Sequence, residues 1–74
     1  MVRVKLFGTA RLKAGVGTFE REVRSVDELM DCIPNITRRE AKDLVLLVNG
    51  KPAGRRSRLK DGDEVVFLSP AGGG

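Results

Sequence analysis

Two segments near the start of the chain alternate between apolar and polar side chains, as β-strands do when one face is buried. One face of the first segment, residues 2–7, carries Val2, Val4 and Leu6. Phe7 lies on the opposite face of that segment, and residues 19–23 alternate in the same way. Glycines between the two segments predict a loop there, so the pattern favours an antiparallel hairpin.

A helix is predicted to begin after Ser25. The sequence from Ser25 to Glu28 has the capping-box pattern, in which the serine hydroxyl and the glutamate carboxylate each accept a hydrogen bond from the other residue's amide. The apolar residues that follow at helical spacing are Val26, Leu29, Met30 and Ile33. Pro34 ends the helix, because the residue before a proline avoids helical dihedral angles. Residues 37–40 repeat the capping-box pattern and predict one further helical turn.

The second half of the chain contains two apolar, β-prone runs. Residues 44–48 end at Asn49-Gly50, a strong hairpin signal because both residues tolerate a positive φ angle. Leu59 is the expected core anchor of the basic, irregular segment that follows. Residues 64–68 form the last strand, whose consecutive apolar residues indicate a central position in the sheet.

The order of elements predicts an α+β fold, with a mixed four- to five-stranded sheet and one main helix packed on one face. A single helix cannot cover both faces of such a sheet. Apolar side chains on the other face would form an exposed patch, and patches of that kind commonly mark interaction surfaces.

Composition restricts the chemistry that the chain can perform. Its 74 residues allow one compact domain with little room for a deep catalytic cleft. Histidine, tryptophan and tyrosine are absent, so the commonest general base and the commonest metal ligand are missing. Cys32 is the only cysteine, which excludes an intrachain disulfide, and we interpret it as a semi-buried helix residue in preference to a reactive thiol. We expect neither catalysis nor a metal site in this chain.

The chain carries a formal charge of +4, and several of its arginines lie at positions 38, 39, 55, 56 and 58. This excess is compatible with nucleic-acid binding or with an acidic partner. We favour a solvated basic face, because the exposed stacking aromatics of common RNA-binding modules are not evident. The alternating N-terminus is unlike a signal peptide, and no segment reaches membrane-spanning length. We therefore expect a cytoplasmic protein that does not bind membranes.

The C-terminus reads Ser69-Pro70-Ala71-Gly72-Gly73-Gly74. Proline interrupts strand pairing, and three glycines have no side chains with which to pack on the domain. The sequence thus predicts a folded domain over residues 1–69 and a flexible tail over residues 70–74. Because glycines lack Cβ atoms, such a tail could enter a narrow channel in another protein; an ordinary frayed terminus is the alternative interpretation.

Residues 2–11 (VRVKLFGTAR), the triplet Val48-Asn49-Gly50, and residues 59–65 (LKDGDEV) with the terminal Gly73-Gly74 occur in a specific order and spacing. In this combination the chain resembles the MoaD/ThiS family of ubiquitin-like β-grasp sulfur carriers, over nearly its whole length. It is most similar to the small subunits of molybdopterin synthase and to the archaeal ubiquitin-like modifiers in that family. The family's usual Pro-Pro before the tail is replaced here by Ser69-Pro70.

The resemblance implies that the reacting group is the carboxylate of Gly74, with Gly73 and Gly72 threaded into a partner's active site. An adenylating enzyme of the ubiquitin-activating type would supply ATP and the catalytic residues, and a separate sulfur donor would then give a thiocarboxylate. This chain itself would bind no cofactor. The resemblance also directs Val65 and Phe67 inward and Leu68 outward.

The expected partner surface is the sheet face away from the helix, with Phe7, Arg11 and Leu68 as docking residues. The leading functional hypothesis is sulfur donation in molybdopterin biosynthesis, in which a molybdopterin synthase large subunit would be a further partner. One alternative is a ubiquitin-like modifier joined through Gly74 to lysines of target proteins. A second alternative is a sulfur carrier for thiazole synthesis.

Overall fold

The structure, a computed structural model, describes residues 1–70. Five strands form one sheet, and their bounds are β1 Val2–Phe7, β2 Thr18–Arg21, β3 Val45–Val48, β4 Lys51–Pro52 and β5 Glu64–Leu68. Their order across the sheet is β2-β1-β5-β3-β4. The sheet is mixed: β5 pairs parallel to β1 and antiparallel to β3, and the other pairs are antiparallel. The predicted α+β fold and the central position of the last strand are confirmed.

The first connection differs from the sequence-based expectation. Residues Thr9–Ala14, predicted as part of a loop, form helix α1 between β1 and β2. Ala10 and Ala14 are buried one helical turn apart, so the helix has an apolar side that packs on the sheet. Gly15 ends α1 in the left-handed conformation, with its amide bonded to the carbonyl of Arg11. The antiparallel pairing of β1 with β2 is confirmed, although a helix separates the two strands.

The predicted main helix is shorter than its apolar pattern suggested. Helix α2 spans Val26–Leu29, and the expected serine cap is present, since Ser25 accepts a hydrogen bond from the amide of Glu28 at 3.2 Å. After Met30 the bonds shorten to three-residue turns, from the amide of Asp31 to Glu28 and from that of Cys32 to Leu29. Cys32 therefore lies beyond the helix, in the turns that lead to Pro34.

Helix α3 spans Arg38–Ala41 and begins with the second predicted capping box, in which Thr37 and Glu40 bond reciprocally. Arg38 connects α3 to α2 by donating to the carboxylates of Asp27 at 2.7 Å and Asp31 at 2.6 Å. The hydrogen bonds from Arg38 lower the pKa of Asp31. No helix in the described part of the chain is long and apolar enough to cross a membrane.

The core lies between the sheet and these three short helices. Its largest fully buried side chains are Phe67, Leu6, Leu29, Val2, Val4, Val26 and Val65. Leu59 is also buried, as predicted. Every buried side chain of β1 and β5 points toward the helices, so residues 1–70 cover only this face of the sheet.

The turn between β3 and β4 is the predicted hairpin, with φ angles of 51° at Asn49 and 82° at Gly50. The Asn49 side chain also anchors the start of β5, because its amide donates to Asp63 at 3.0 Å and its oxygen accepts from the amide of Glu64 at 2.9 Å. Asp63 accepts a further bond from the amide of Lys60 at 2.9 Å. This backbone bond, followed by that from Asn49, lowers the pKa of Asp63.

Candidate functional site

The uncovered face of the sheet carries a row of apolar side chains that crosses three strands. Phe7 on β1 is the register partner of Leu68 on β5, and Leu68 is the register partner of Val45 on β3. Phe7 is 47% exposed and Val45 is 40% exposed, whereas Leu68, between them, is half-buried. The sheet register therefore brings the predicted docking residues Phe7 and Leu68 side by side.

A second row lies one pleat away on the same face. Val66 of β5 is paired with Lys5 of β1 and with Leu47 of β3. Val66 and Leu47 are half-buried, and neither belongs to the group that packs against the core. Side chains two residues apart in a strand share a face, so these two residues extend the first row. We call Phe7, Val45, Leu47, Val66 and Leu68 together the outward patch.

The outward patch has a charged border on the side of the second row. Lys5 lies 3.4 Å from the carboxylate of Glu64, and Arg3 is the register partner of the same glutamate. A contiguous apolar centre with a polar border is the usual arrangement of a protein-protein interface. The face thus has the chemistry of a docking surface and lacks the concave shape of a small-molecule site.

Arg11, the third predicted docking residue, is exposed on α1. Its guanidinium lies over Gly17, where a Cβ atom would come within 2.8 Å of the Arg11 Nε atom. The shallow depression around it is also lined by Leu12 and Val16, which are both exposed. Arg11 therefore belongs to the surface of the connection between β1 and β2, and the strand register that joins Phe7 to Leu68 does not include it.

Val45 and Leu12 are exposed apolar residues that sequence reasoning did not identify as surface candidates. The run of residues 44–48 is apolar throughout, so its periodicity cannot show which side chains point outward. Pairing with β5 supplies the missing information for Val45. For Leu12 the missed signal was the helical spacing of Ala10 and Ala14, which places the intervening residue on the opposite side of α1.

The start of the C-terminal segment is attached beside the outward patch. Ser69 follows Leu68 directly, and its hydroxyl bonds to Thr9 at 2.6 Å and accepts from the amide of Ala10 at 3.1 Å. Pro70 is exposed and borders a groove with these residues. The predicted reactive residues Gly72, Gly73 and Gly74 lie outside the described part of the chain.

The basic residues are divided between two roles. Arg38 is engaged with two aspartates and is therefore part of the link between helices. Arg55, Arg56 and Arg58 are exposed and line a polar depression with Arg24. The phenylalanines lie elsewhere: Phe67 is in the core, Phe19 is covered by Arg21 at 4.7 Å, and Phe7 is on the outward patch. The arginine surface has no aromatic side chain on which a nucleic-acid base could stack.

Among residues 1–70, the structure contains no group of three or more histidine, cysteine or acidic residues that could hold a metal ion. The Cys32 thiol is half-buried and donates to the carbonyl of Glu28 at 3.4 Å. The carboxylates with lowered pKa values, Asp31 and Asp63, are both engaged in bonds that stabilise turns or helix contacts. These thiol and carboxylate groups therefore have bonding partners within the described part of the chain.

Comparison with solved structures gives several similar folds. SAMP1 from Haloferax volcanii has a TM-score of 0.80 at 23% identity, covering 99% of this chain and 98% of that one. A putative molybdopterin converting factor subunit 1 from Pyrococcus furiosus has a TM-score of 0.76 at 30% identity, covering 93% and 95%. Subunits 1 and 2 of the molybdopterin-converting factor from Helicobacter pylori form a complex that contains a similar chain, with a TM-score of 0.72 at 22% identity over 99% and 97%.

A comparison with curated protein sequences gives no significant match. The ThiS family model, in contrast, matches residues 4–74, which include the C-terminal glycines and all of the sheet except the first two residues of β1. The match is consistent with the mixed five-stranded sheet and with the similar converting-factor subunit from Pyrococcus furiosus. The chain belongs to the ThiS family.

Proposed function

We propose that this protein is a sulfur carrier whose Gly74 carboxylate is adenylated and then converted to a thiocarboxylate that donates sulfur in molybdopterin synthesis. The observation that carries the proposal is the family match through residue 74, together with 30% identity to a putative molybdopterin converting factor subunit 1. The comparisons support the broader class, a carrier or ubiquitin-like modifier of the ThiS/MoaD type. In this proposal residues 1–69 are the folded handle and residues 70–74 are the reactive segment.

The carboxylate needs activation because its charge is delocalised and its oxygen is a poor leaving group. In the first step a carboxylate oxygen of Gly74 attacks the α-phosphorus of ATP, which forms an acyl-adenylate and releases pyrophosphate. ATP and the residues that activate it belong to the adenylating enzyme, of the ubiquitin-activating type. This chain contributes the acyl group, and the outward patch holds it on the enzyme.

Sulfur enters in the second step. The terminal sulfur of a persulfide on a partner attacks the acyl carbon, AMP leaves, and an acyl disulfide remains. A second thiol then attacks the partner's sulfur in that disulfide, which releases the thiocarboxylate and leaves a new disulfide between the two thiols. The thiocarboxylate is a good sulfur nucleophile at neutral pH, so the loaded chain can transfer its sulfur to a substrate held by another protein.

The outward patch also suits a second partner, the large subunit of a molybdopterin synthase. The Helicobacter pylori structure contains subunits 1 and 2 of the molybdopterin-converting factor in complex, and the match covers 97% of the similar chain in it. A single apolar face can serve two partners in turn, since the adenylating enzyme must release the loaded chain before sulfur is delivered. This order predicts that the two partners compete for the outward patch.

A modifier function is the second candidate, favoured by the fold similarity to a small archaeal modifier protein, SAMP1. The same acyl-adenylate would be attacked by a lysine amine of a target protein, with loss of AMP and a proton and formation of an isopeptide bond. The two functions share adenylation and docking. They differ in the nucleophile that consumes the activated chain.

Mass spectrometry of the protein purified from its own cells tests these functions. The carrier predicts an oxygen-to-sulfur mass increase on Gly74. The modifier predicts target lysines that carry residues 61–74 as a branch after tryptic digestion, because Lys60 is the last tryptic site in the chain. A chain that lacks residues 73 and 74 is the matched control, since it keeps the folded domain and should show neither product. If the full chain shows neither product and forms no acyl-adenylate with the adenylating enzyme of the same organism and ATP, both candidates are wrong.

A further inference from the structure

Three consecutive residues that follow β1 lie close to one residue, Ser69, that follows β5. The amide of Ala10 donates to the Ser69 hydroxyl at 3.1 Å, and the Thr9 hydroxyl lies 2.6 Å from the same oxygen. At Gly8 a Cβ atom would come within 3.3 Å of the Ser69 Cβ atom and 3.4 Å of its hydroxyl. Gly8 has a φ angle of 70°, so a side chain there is disfavoured by conformation as well as by space.

These contacts lie just beyond the last paired position of the sheet. The parallel register of β1 and β5 ends at Phe7 and Leu68, so Gly8 and Ser69 are the first residues past it. Pro70 has no amide hydrogen and cannot continue the ladder. Within residues 1–70, the Ser69 hydroxyl therefore attaches the chain to the domain immediately before the exposed Pro70.

The attachment also fixes a spatial relation between two functional parts. Leu68 is on the outward patch, and Ser69 is held against α1 directly beside it. From Pro70 to the carboxyl terminus there remain four residues, which span at most roughly 13 Å when extended at about 3.3 Å per residue. A change of direction at Ser69 would move the acyl carbon by a large part of that length relative to a partner docked on the patch.

We propose that Ser69 is a positioning residue for adenylation. Its hydroxyl, held by Thr9 and Ala10, sets the direction in which the reactive segment leaves the domain and so delivers Gly74 to the activating site. This inference rests on the proposed function. Docking alone brings the two proteins together, whereas reaction also requires the carboxylate to lie at the attacking distance and angle in the docked complex.

A positioning role and a purely stabilising role of the Ser69 hydroxyl predict different results when the hydroxyl is removed. If the hydroxyl only stabilised the start of α1, its loss would lower the free energy of unfolding and leave the turnover of the remaining folded chain unchanged. If it directs the segment, its loss lowers kcat in the docked complex while docking affinity stays constant. Docking affinity can be measured separately on a chain that ends at Pro70, because this chain retains the outward patch.

The first experiment measures adenylation of the full chain by the adenylating enzyme of the same organism, followed as pyrophosphate release. Ser69→Ala removes the hydroxyl and is expected to lower kcat by about threefold to tenfold, the fold-change that corresponds to one lost hydrogen bond. Ser69→Thr keeps a hydroxyl and should restore most of the rate. Thr9→Val removes the second hydroxyl while keeping the size of the side chain, and it should give a smaller fall in kcat. Thr9→Ser, which keeps the hydroxyl, is its matched control.

Docking of the Ser69→Ala chain ending at Pro70 should match that of the unsubstituted chain of the same length within about twofold, since the outward patch is unaltered. The midpoint of thermal unfolding is measured on each variant. A fall in kcat that is not rescued by Ser69→Thr, or that is accompanied by an equal loss of docking affinity, would overturn the positioning role. An unchanged kcat in Ser69→Ala would overturn it as well.

A second experiment needs no partner. Amide relaxation by NMR is compared between the full chain and Ser69→Ala, with the Ser69→Thr chain as control. The hydroxyl predicts an ordered amide at residue 69, and its removal should lower the order parameter there toward about 0.6 or below. Equal order parameters in all three chains would contradict the attachment. If the unsubstituted chain is not adenylated at all, the proposed function fails and the role of Ser69 in adenylation fails with it, whereas this measurement still tests whether the hydroxyl orders residue 69.

Discussion

Alternate residues of β5 lie in two different environments. Val65 and Phe67 are at most 1% exposed on the side that the helices cover, whereas Val66 and Leu68 are half-buried on the other side. All four side chains are apolar, so hydrophobicity does not distinguish the two pairs. The register with β1 and β3 distinguishes them. Val65 and Phe67 lie over the core. Leu68 lies beside Phe7 and Val45, and Val66 lies beside Leu47.

Apolar residues thus serve two purposes in the one strand β5. Inward residues contribute to the free energy of unfolding through buried apolar area. Outward residues expose apolar area that the chain does not itself cover, which favours association with another protein. Substitutions on the two faces should therefore separate stability from partner binding.

The largest effect is expected at Phe67. Phe67→Ala should lower the free energy of unfolding by about 3–5 kcal/mol, because it removes a fully buried ring and leaves a cavity. Urea denaturation followed by circular dichroism measures the change. Phe7→Ala is the matched control, with the same chemical change on the outward patch, and should alter stability by less than about 1 kcal/mol. Equal losses in the two variants would contradict the assignment of the two faces.

The next largest effect is expected for partner binding. Phe7→Asp should weaken docking to the adenylating enzyme by at least about 30-fold, the change that corresponds to losing one interface hot spot. The cause is a carboxylate placed in the apolar centre of the patch. Isothermal titration calorimetry gives the affinity, and urea denaturation verifies that the variant remains folded.

Glu20→Ala is the control for Phe7→Asp, since Glu20 is an exposed residue of β2 outside the outward patch. Its docking affinity should stay within about twofold of the unsubstituted chain, as expected for an energetically neutral interface border. If Phe7→Asp binds and is adenylated normally, the outward patch is not the docking surface. The role of Val65 and Phe67 in stability would be unaffected by that result.

A smaller effect should appear in the pH dependence of stability. The bonds from Lys60 and Asn49 lower the pKa of Asp63 in the folded state, so this carboxylate stabilises the fold fully above its unfolded pKa of about 3.9. The stabilisation is lost as the pH falls through the lower folded pKa. Asp63→Asn should make stability less dependent on pH below about 4, because an amide does not titrate there.

Urea denaturation between neutral and acidic pH measures this slope for Asp63→Asn. Asp43→Asn removes an exposed carboxylate and serves as the matched control for charge. An Asp63→Asn chain with the same acid dependence as the unsubstituted protein would show that the bonds to Asp63 do not favour its charged form. Because Asp63 precedes β5 and belongs to neither face, docking at neutral pH should remain unchanged in the folded variant.

The smallest effect is expected at Cys32. Cys32→Ser keeps a donor for the carbonyl of Glu28 and should change stability by less than about 1 kcal/mol. Adenylation and sulfur loading should stay within about twofold, since we assign the thiol a packing role. Loss of sulfur loading with normal adenylation would instead identify Cys32 as a participant in sulfur transfer.

Much of the fold was predictable because its signals are local. Alternation identified β1, the Asn49-Gly50 pair identified the hairpin, and both serine and threonine caps identified helix starts. The sequence did not reveal α1, because closely spaced glycines on either side of Thr9–Ala14 are also typical of loops. It overestimated α2, because the apolar spacing continues through Ile33 while the hydrogen bonds change to shorter turns.

The candidate site was predictable only in part. Phe7 was correctly placed outward by alternation, and the family resemblance correctly placed Leu68 outward. Val45 could not be oriented, because no local pattern distinguishes the faces of an apolar run. The contact between Ser69 and Thr9 joins residues 60 positions apart in the sequence. The sheet topology brings them together, and no local sequence pattern reveals such a contact. The roles of Gly72, Gly73 and Gly74 stay predictions.

The short edge of the sheet has a consequence for the behaviour of many copies in one solution. Strand β4 contains two residues, and one of them is Pro52, which has no amide hydrogen to offer a neighbouring strand. Edge-to-edge growth into aggregates is therefore obstructed at this edge of the sheet, even though the molecule exposes the apolar outward patch. The protein can therefore reach a high concentration without aggregating through this edge, while its apolar patch stays exposed for a partner.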